Sequence, residues 1–460
     1  MILGNFNFVK KDDYVLLTND TGAFCFLKPE DLQAIIHGQK LNDSEKWNEL
    51  CEKHFCSDDS EESFIRNNEN AIRDANSYLF DSTSLFIFAI TNECNNRCVY
   101  CQANGEKKSC HMQEDVAEKA LEQIARTPAA NITIEFQGGE PLINFPIIRF
   151  IITRSKELLP KKNIQFTIVS NLSLLTPEMA AFFKENSVAV STSLDGPEML
   201  HDLNRPSANG ISSFKDMLKG KAILDQMGII PGVIETTTAY SLRFPEEIVD
   251  TYVQNGFKQL FIRPLTKLGS AKKSWDTIGY TPEQFLAFYK KALERIIWYN
   301  SEGVHLTEYH AALFLAKILN GTSVNYMELR SPCGAGLGQI AITANGNVYT
   351  CDEGRMMAEM GDEAFRIGNV FENGYNDWIE SSCCKAICSA SLLDTLPGCC
   401  DCVYKPYCGV CPVINYAING NITNISKDRC KIYKGILDLL FEYIKMGNSE
   451  IMNIFGEWRV

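Results

Sequence analysis

No window of this 460-residue chain holds an uninterrupted apolar run of the roughly 18 residues that a membrane-crossing helix needs. The stretch after Met1 also lacks the succession of charged, apolar and small residues that marks an export signal. The expectation is a cytoplasmic chain with no membrane partner. Basic charge is short as well: 44 Lys and Arg face 57 Asp and Glu, a formal net charge of -13. Nucleic-acid binding draws on clustered cations to release counterions, so nucleic acid is not an expected partner, whereas a basic peptide is compatible. No internal repeat is visible. Cysteine, by contrast, is abundant, with 18 residues. In a reducing compartment, and in a chain long enough to bury a large core, disulfide staples are not expected. Metal or redox chemistry is.

Three blocks separate by pattern. Residues 1–80 hold short extended runs at 6–9, 14–18 and 23–27, then helical stretches at 29–38 and 44–54. The polar run 57–70 reads as a linker or the lead into one further helix. Over 81–270 strands and helices alternate. Apolar runs at 85–90, 132–136, 164–169, 188–194, 232–237 and 259–262 are separated by amphipathic stretches such as 114–125, 147–159 and 214–227. Six such units predict an α/β fold, a parallel sheet wrapped by helices and closed or partly closed as a (β/α)6 barrel of TIM type. Chemistry in such folds sits at the C-terminal ends of the strands. A helical bridge is expected over 271–331, a metal-ordered block over 332–434 and a C-terminal helix over 435–460. The metal-ordered block has 11 cysteines and little periodicity.

The first predicted strand is followed by Cys94-Asn-Asn-Arg-Cys98-Val-Tyr-Cys101. Three thiolates so spaced can hold three corners of a [4Fe-4S] cube, leaving one iron open to a small molecule. A zinc site completed by Cys110 or His111 is the alternative. The second strand ends in Gln137-Gly138-Gly139-Glu140-Pro141, where glycines let backbone approach a ligand closely and the carboxylate can accept from an ammonium group. The third ends in Ser170-Asn171, and the fourth in Ser193-Leu-Asp195. The cysteine-rich block reads Cys333-x12-Gly346-x4-Cys351, then Cys399-x2-Cys402-x5-Cys408-x2-Cys411, then Cys430. A zinc ribbon from Cys399, Cys402, Cys408 and Cys411 fits the second stretch as well.

The triplet, with Tyr100 before its last cysteine, resembles the motif of the radical S-adenosylmethionine (SAM) superfamily. In that family the amino and carboxylate groups of SAM complete the unique iron, and the reduced cluster splits SAM into methionine and a 5'-deoxyadenosyl radical. The Gly-Gly-Glu turn resembles the family motif for the methionyl amine. The resemblance implies that Gly138, Gly139 and Glu140 bind SAM, with Ser170, Asn171 and Ser193 near its ribose or carboxylate. Asp195 is expected either there or as a cap. The C-terminal spacing resembles the SPASM extension of peptide and sulfatase maturases, which implies two further [4Fe-4S] clusters. Cys333, Cys351 and Cys411 would hold the first, and Cys399, Cys402, Cys408 and Cys430 the second.

Two departures stand out. The quartet ends in x2 where x3 is common, and no cysteine lies just upstream of Cys333, so the first cluster is expected either to keep an open iron or to recruit Cys383, Cys384 or Cys388. The phrases Ile134-Glu-Phe-Gln-Gly-Gly-Glu-Pro-Leu142, Cys351-Asp-Glu-Gly-Arg355 and Tyr404-Lys-Pro-Tyr-Cys-Gly-Val-Cys-Pro412 most resemble the His-Xaa-Ser system radical SAM maturase. Membership implies a ribosomally made precursor peptide as substrate, a winged-helix-like leader-binding module over 1–80 and an external donor of flavodoxin or ferredoxin type. It also implies a catalytic base at Asp352, whose plainer reading is an Asx residue ordering the cluster loop. A formylglycine-forming sulfatase maturase and a zinc-bearing, non-catalytic peptide adaptor are the competing expectations.

Overall fold

The computed structural model describes residues 1–103, 109–321 and 329–458. Its spine is a ten-stranded sheet. From one edge the strands are Thr307–Glu308, Gln259–Arg263, Gly232–Thr236, Ala189–Ser193, Asn163–Val169, Asn131–Gln137, Leu85–Ala89, Gln339–Thr343, Asn347–Tyr349 and Arg366–Asn369. The first eight run parallel and the last two antiparallel. Among the described residues no pairing joins the two edges, so the sheet stays open.

Alternation along the strands explains which face does what. In Asn131–Gln137 the buried Ile132, Ile134 and Phe136 pack beneath the helices Glu114–Ile124 and Phe145–Leu158. Thr133, Glu135 and Gln137 point to the opposite face and are only half-buried. Thr167, Ser191 and Ser193 continue that polar face across the neighbouring strands. One face is therefore ordinary core, and the other is a lining.

All six expected strands are present. The block expected to owe its order to metal, however, also contributes three strands to this sheet. Gln339–Thr343 pairs in parallel with Leu85–Ala89, and all five of its residues are buried. The expected bridge adds Thr307–Glu308, where Glu308 caps the next helix, Tyr309–Asn320, by accepting from the amides of His310 and Ala311. The 331/332 boundary therefore cuts through one packed body. Likewise the helix Lys427–Met446 runs through the expected boundary at 434/435. Of the two readings of 57–70, the lead into a further helix is the one found: Glu61–Ala75, started by the Ser60 side chain accepting from the Ser63 amide.

Near the N-terminus, Asn7–Lys10, Val15–Thr18 and Phe24–Leu27 form a three-stranded antiparallel sheet followed by helices Pro29–Ile36 and Ser44–Glu52. This unit has its own core around Trp47 and Leu50. It is also joined to the C-terminal block. Phe24 meets Phe441 edge-on at 5.3 Å, the Thr18 hydroxyl donates to the Val403 carbonyl and Lys405 pairs with Asp20. Among the described residues no helix is long and apolar enough to cross a membrane.

Candidate active site

The loop carrying Cys94, Cys98 and Cys101 leaves the C-terminal end of Leu85–Ala89 and is pinned from several sides. The amides of Gly139 and Glu140 donate to the carbonyls of Thr91 and Glu93 at 2.8 and 2.7 Å. Gly138 has φ +140°, and a Cβ there would lie 2.1 Å from the Thr91 carbonyl oxygen; one on Gly139 would lie 2.1 Å from that of Glu93. The glycines are therefore required by close approach of the cysteine loop itself, where the sequence suggested approach of a ligand. Further along, the Tyr100 hydroxyl donates to Asp195 at 2.6 Å and accepts from Arg205 at 2.6 Å. Asp195 is fully buried, and its other oxygen accepts from the Thr236 amide. Asp195 thereby anchors the loop from beneath.

Glu140 is buried too. Its carboxylate accepts from the Ser170 hydroxyl at 2.7 Å, the Asn171 amide at 2.8 Å and the Leu142 amide at 3.1 Å. Burial raises its pKa while these donors oppose the rise. The Asn171 side chain donates to Asn95, inside the cysteine loop, at 2.9 Å. Gly138, Gly139, Glu140, Ser170 and Asn171 thus form one bracket around the loop, and Ser193 lies on the polar face beside it. Burial, with the charges of other loop cysteines, pushes Cys94 up to about 11 and Cys98 to about 12. Of the alternative zinc donors, His111 pairs with Glu93 at 3.3 Å, and Cys110 feels Glu359.

The C-terminal cysteines fall into two further groups. Cys333, Cys351 and Cys411 are buried in one apolar cluster with Phe365 and Ile387, against which Cys383 also packs. The Cys351 thiol accepts from the Gly354 amide at 3.4 Å and caps the helix Asp352–Glu359, whose N-terminal dipole favours negative charge at that sulfur. Cys384 is turned away, donating to the Trp378 carbonyl at 3.2 Å, and Cys388 acts with Cys333 on the charge of Arg330. Cys399, Cys402, Cys408 and Cys430 line a common cavity, whose wall Cys411 also reaches. Burial lifts Cys399 to about 11 and Cys408 to about 12.

Among the described residues no three His, Cys, Asp or Glu side chains converge closely enough to hold a single metal ion. A tetrahedral ion with bonds of about 2.3 Å draws its sulfurs together, whereas a cube of four irons and four sulfides needs them around a larger space. The three sets of grouped, otherwise unassigned thiols, buried at Cys333, Cys351 and Cys411 and half-buried in the other two sets, fit the larger group.

Asp352 lies over the polar face of the sheet. Its carboxylate accepts from Arg355, through Nε at 3.0 Å and through Nη2. Arg355 Nη2 also donates to Gln137 at 3.4 Å, and Gln137 in turn donates to Glu135. Burial raises the pKa of Glu135, and the charge of Asp352 raises it further. Sequence reasoning did not single out Glu135, Gln137, Arg205 or Arg355. Gln137 and Arg355 stand inside phrases already notable for their neighbours, but Arg205 carried no signal.

The Radical SAM superfamily model matches residues 88–261. A cysteine-type anaerobic sulfatase-maturating enzyme of Clostridium novyi is 25% identical over 338 residues, which are 71% of this chain and 87% of that protein. The solved structure of native anSMEcpe with bound AdoMet superposes with a TM-score of 0.68 at 19% identity, covering 82% of this chain and all of the other. Streptococcus suis SuiB bound to precursor peptide SuiA gives 0.57 at 14% identity, covering 93% of this chain and 99% of its own. The superfamily match spans the cysteine loop and the bracket that the geometry brings together, and the chain carries a radical SAM domain and is a radical SAM enzyme.

Proposed function

We propose that the chain is a peptide maturase that cleaves SAM and oxidatively cross-links a ribosomally made precursor peptide, nearest in kind to the His-Xaa-Ser system maturase. The observation that carries this reading is the grouping of ten cysteines, three in the loop beside the polar face and seven in the C-terminal block, where Cys411 lies both in the apolar cluster of Cys333 and Cys351 and at the cavity of the other four. In it, Cys94, Cys98 and Cys101 hold the SAM-binding [4Fe-4S] cluster. Cys333, Cys351 and Cys411 hold a first auxiliary cluster, and Cys399, Cys402, Cys408 and Cys430 a second. When bound, reduced cluster and SAM together supply a 5'-deoxyadenosyl radical that removes a substrate hydrogen. Gly138, Gly139, Glu140, Ser170, Asn171 and Ser193 shape the SAM side of the space.

Asp352 faces the same lining and accepts the proton that the oxidised substrate must shed, while Arg355 keeps its carboxylate aimed. An external flavodoxin-type or ferredoxin-type donor supplies the starting electron. The N-terminal unit, winged-helix-like in its three strands and helices, takes the leader of the peptide as an added strand on its free edge, Asn7–Lys10. Likeness to sulfatase-maturating enzymes over most of their length supports a second reading, formation of formylglycine. Mass spectrometry of a peptide co-expressed from the neighbouring reading frame separates the two. A cross-link removes two hydrogens and leaves no aldehyde, whereas a product that reacts with an aldehyde probe supports formylglycine. An unmodified peptide refutes both.

A further inference from the structure

The cavity lined by Cys399, Cys402, Cys408 and Cys430 is also lined by Lys434, and Lys317 shares a neighbouring cavity with Cys408. Lys434 follows Cys430 by four residues in the helix Lys427–Met446, so both lie on one face of it. Its ammonium is in hydrogen-bonding reach of Cys402 and in the field of Cys399 and Cys430. Lys317, partly buried on the helix Tyr309–Asn320, donates to the Leu329 carbonyl and lies within the field of Cys408. Other cations nearby are matched differently. Lys405 is paired at 2.7 Å with Asp20 and with Asp394, Lys431 reaches Glu283 at 3.1 Å, and Arg429 stacks on Tyr433 at 4.7 Å. Among the described residues Lys317 and Lys434 have no carboxylate partner, although removing an ammonium from water without a counter-charge is costly. The four sulfurs are the anion that is left.

We propose that Lys317 and Lys434 are the counter-charges of the second auxiliary site and hold its reduction potential up. This rests on the cluster assignment of those four cysteines. Four thiolates around an oxidised [4Fe-4S] core leave a double negative charge, and reduction adds a third; cations and hydrogen bonds at the sulfurs stabilise the reduced form more than the oxidised one. The two lysines are positioning residues, acting on the site and not on substrate.

The test is an anaerobic redox titration followed by electron paramagnetic resonance. It uses the full chain reconstituted with iron and sulfide, in a Cys94→Ala, Cys98→Ala, Cys101→Ala background so that only auxiliary signals remain. At the potential where the unaltered site is half reduced, Lys434→Met should lower its reduced-to-oxidised ratio about tenfold, equivalent to about 59 mV for one electron. Lys317→Met should move it in the same direction with iron content retained. Lys434→Arg, which keeps the charge, should keep both the iron content and the potential of the unaltered site. A potential unmoved by both Met variants with iron in place overturns the proposal, as does a Lys434→Arg protein that behaves like Lys434→Met. Zinc in place of iron at the unaltered site overturns the cluster assignment itself, a result readily told apart from the other two.

Discussion

Tyr100→Phe tests whether the cysteine loop is held from beneath. The substitution keeps the ring and removes one oxygen, which donates to Asp195 and accepts from Arg205, both at 2.6 Å. Hydrogen bonds to charged groups contribute about 1.5–3 kcal/mol each. Arg205 and Asp195 recover part of the loss by facing each other, so a net penalty of about 2–3 kcal/mol is expected. It falls on the ordered loop and not on the disordered one from which three thiolates must be gathered, so it comes out of cluster affinity. At about 1.4 kcal/mol per tenfold, the first site should hold its iron about 30-fold to 150-fold less tightly. The assay is competition against an iron chelator under argon, read site by site through the resonance signals, with SAM binding followed in parallel. The first site should empty while the two auxiliary sites persist. Equal retention in wild type and variant would refute the anchoring argument, and parallel loss at all three sites would show a global effect instead.

Gly139→Ala brings a methyl to 2.1 Å from the Glu93 carbonyl, so the loop must shift; 5'-deoxyadenosine formation should fall at least tenfold while circular dichroism stays native. Asp352→Asn keeps the shape and removes the base, and since general bases contribute about 10²- to 10⁴-fold, product formation should drop within that range while iron content and SAM cleavage hold. A variant that modifies its peptide at the wild-type rate would dismiss the role. Phe8, 49% exposed on the free edge strand, offers an apolar contact to an added strand; Phe8→Ser should raise the dissociation constant for the full-length peptide about tenfold, from about 1.5 kcal/mol of lost burial, and leave substrate-free SAM cleavage unchanged. Titration by fluorescence anisotropy checks it.

Deleting residues 1–80 would be a poorer test of the same idea. Leu16 belongs to the large core shared with Phe441 and Leu437, and Phe24 and Phe26 pack against it. Removal would strip cover from the helix that carries Cys430. Nothing local in the sequence announces this, because the contact joins positions some 400 residues apart, Thr18 with Val403 among them. Periodicity reports which face of an element is apolar and not what covers it. The six expected strands of the parallel sheet were legible since each alternates or runs apolar between turn residues. Gln339–Thr343 was hidden for the opposite reason: lying between two strands it is buried throughout, and its five residues sit among cysteines that invite a metal reading.

The candidate site shows the same division between what spacing encodes and what only folding assembles. The cysteine triplet and Gly138-Gly139-Glu140 were legible because their chemistry depends on neighbours within a few residues. Their mutual fit was not. The two glycines serve the loop of Thr91 to Cys94, and Glu140 spends its carboxylate on Ser170 and Asn171, so that three strand ends are locked to one another before any cofactor is considered. Asp195 illustrates the limit most sharply. Its position at a strand end suggests a ligand-facing carboxylate, yet it lies fully buried beneath Tyr100 in company with Arg205, and the two meet only because the strand Ala189–Ser193 and the helix Glu198–Asn204 fold back under the loop. A buried carboxylate bound to a tyrosine and backed by arginine is a rigid support. Rigidity at that point keeps three thiolates in register in the absence of the group they hold, so substitutions at Asp195 should act through iron retention and leave the affinity of an already assembled site for SAM unchanged.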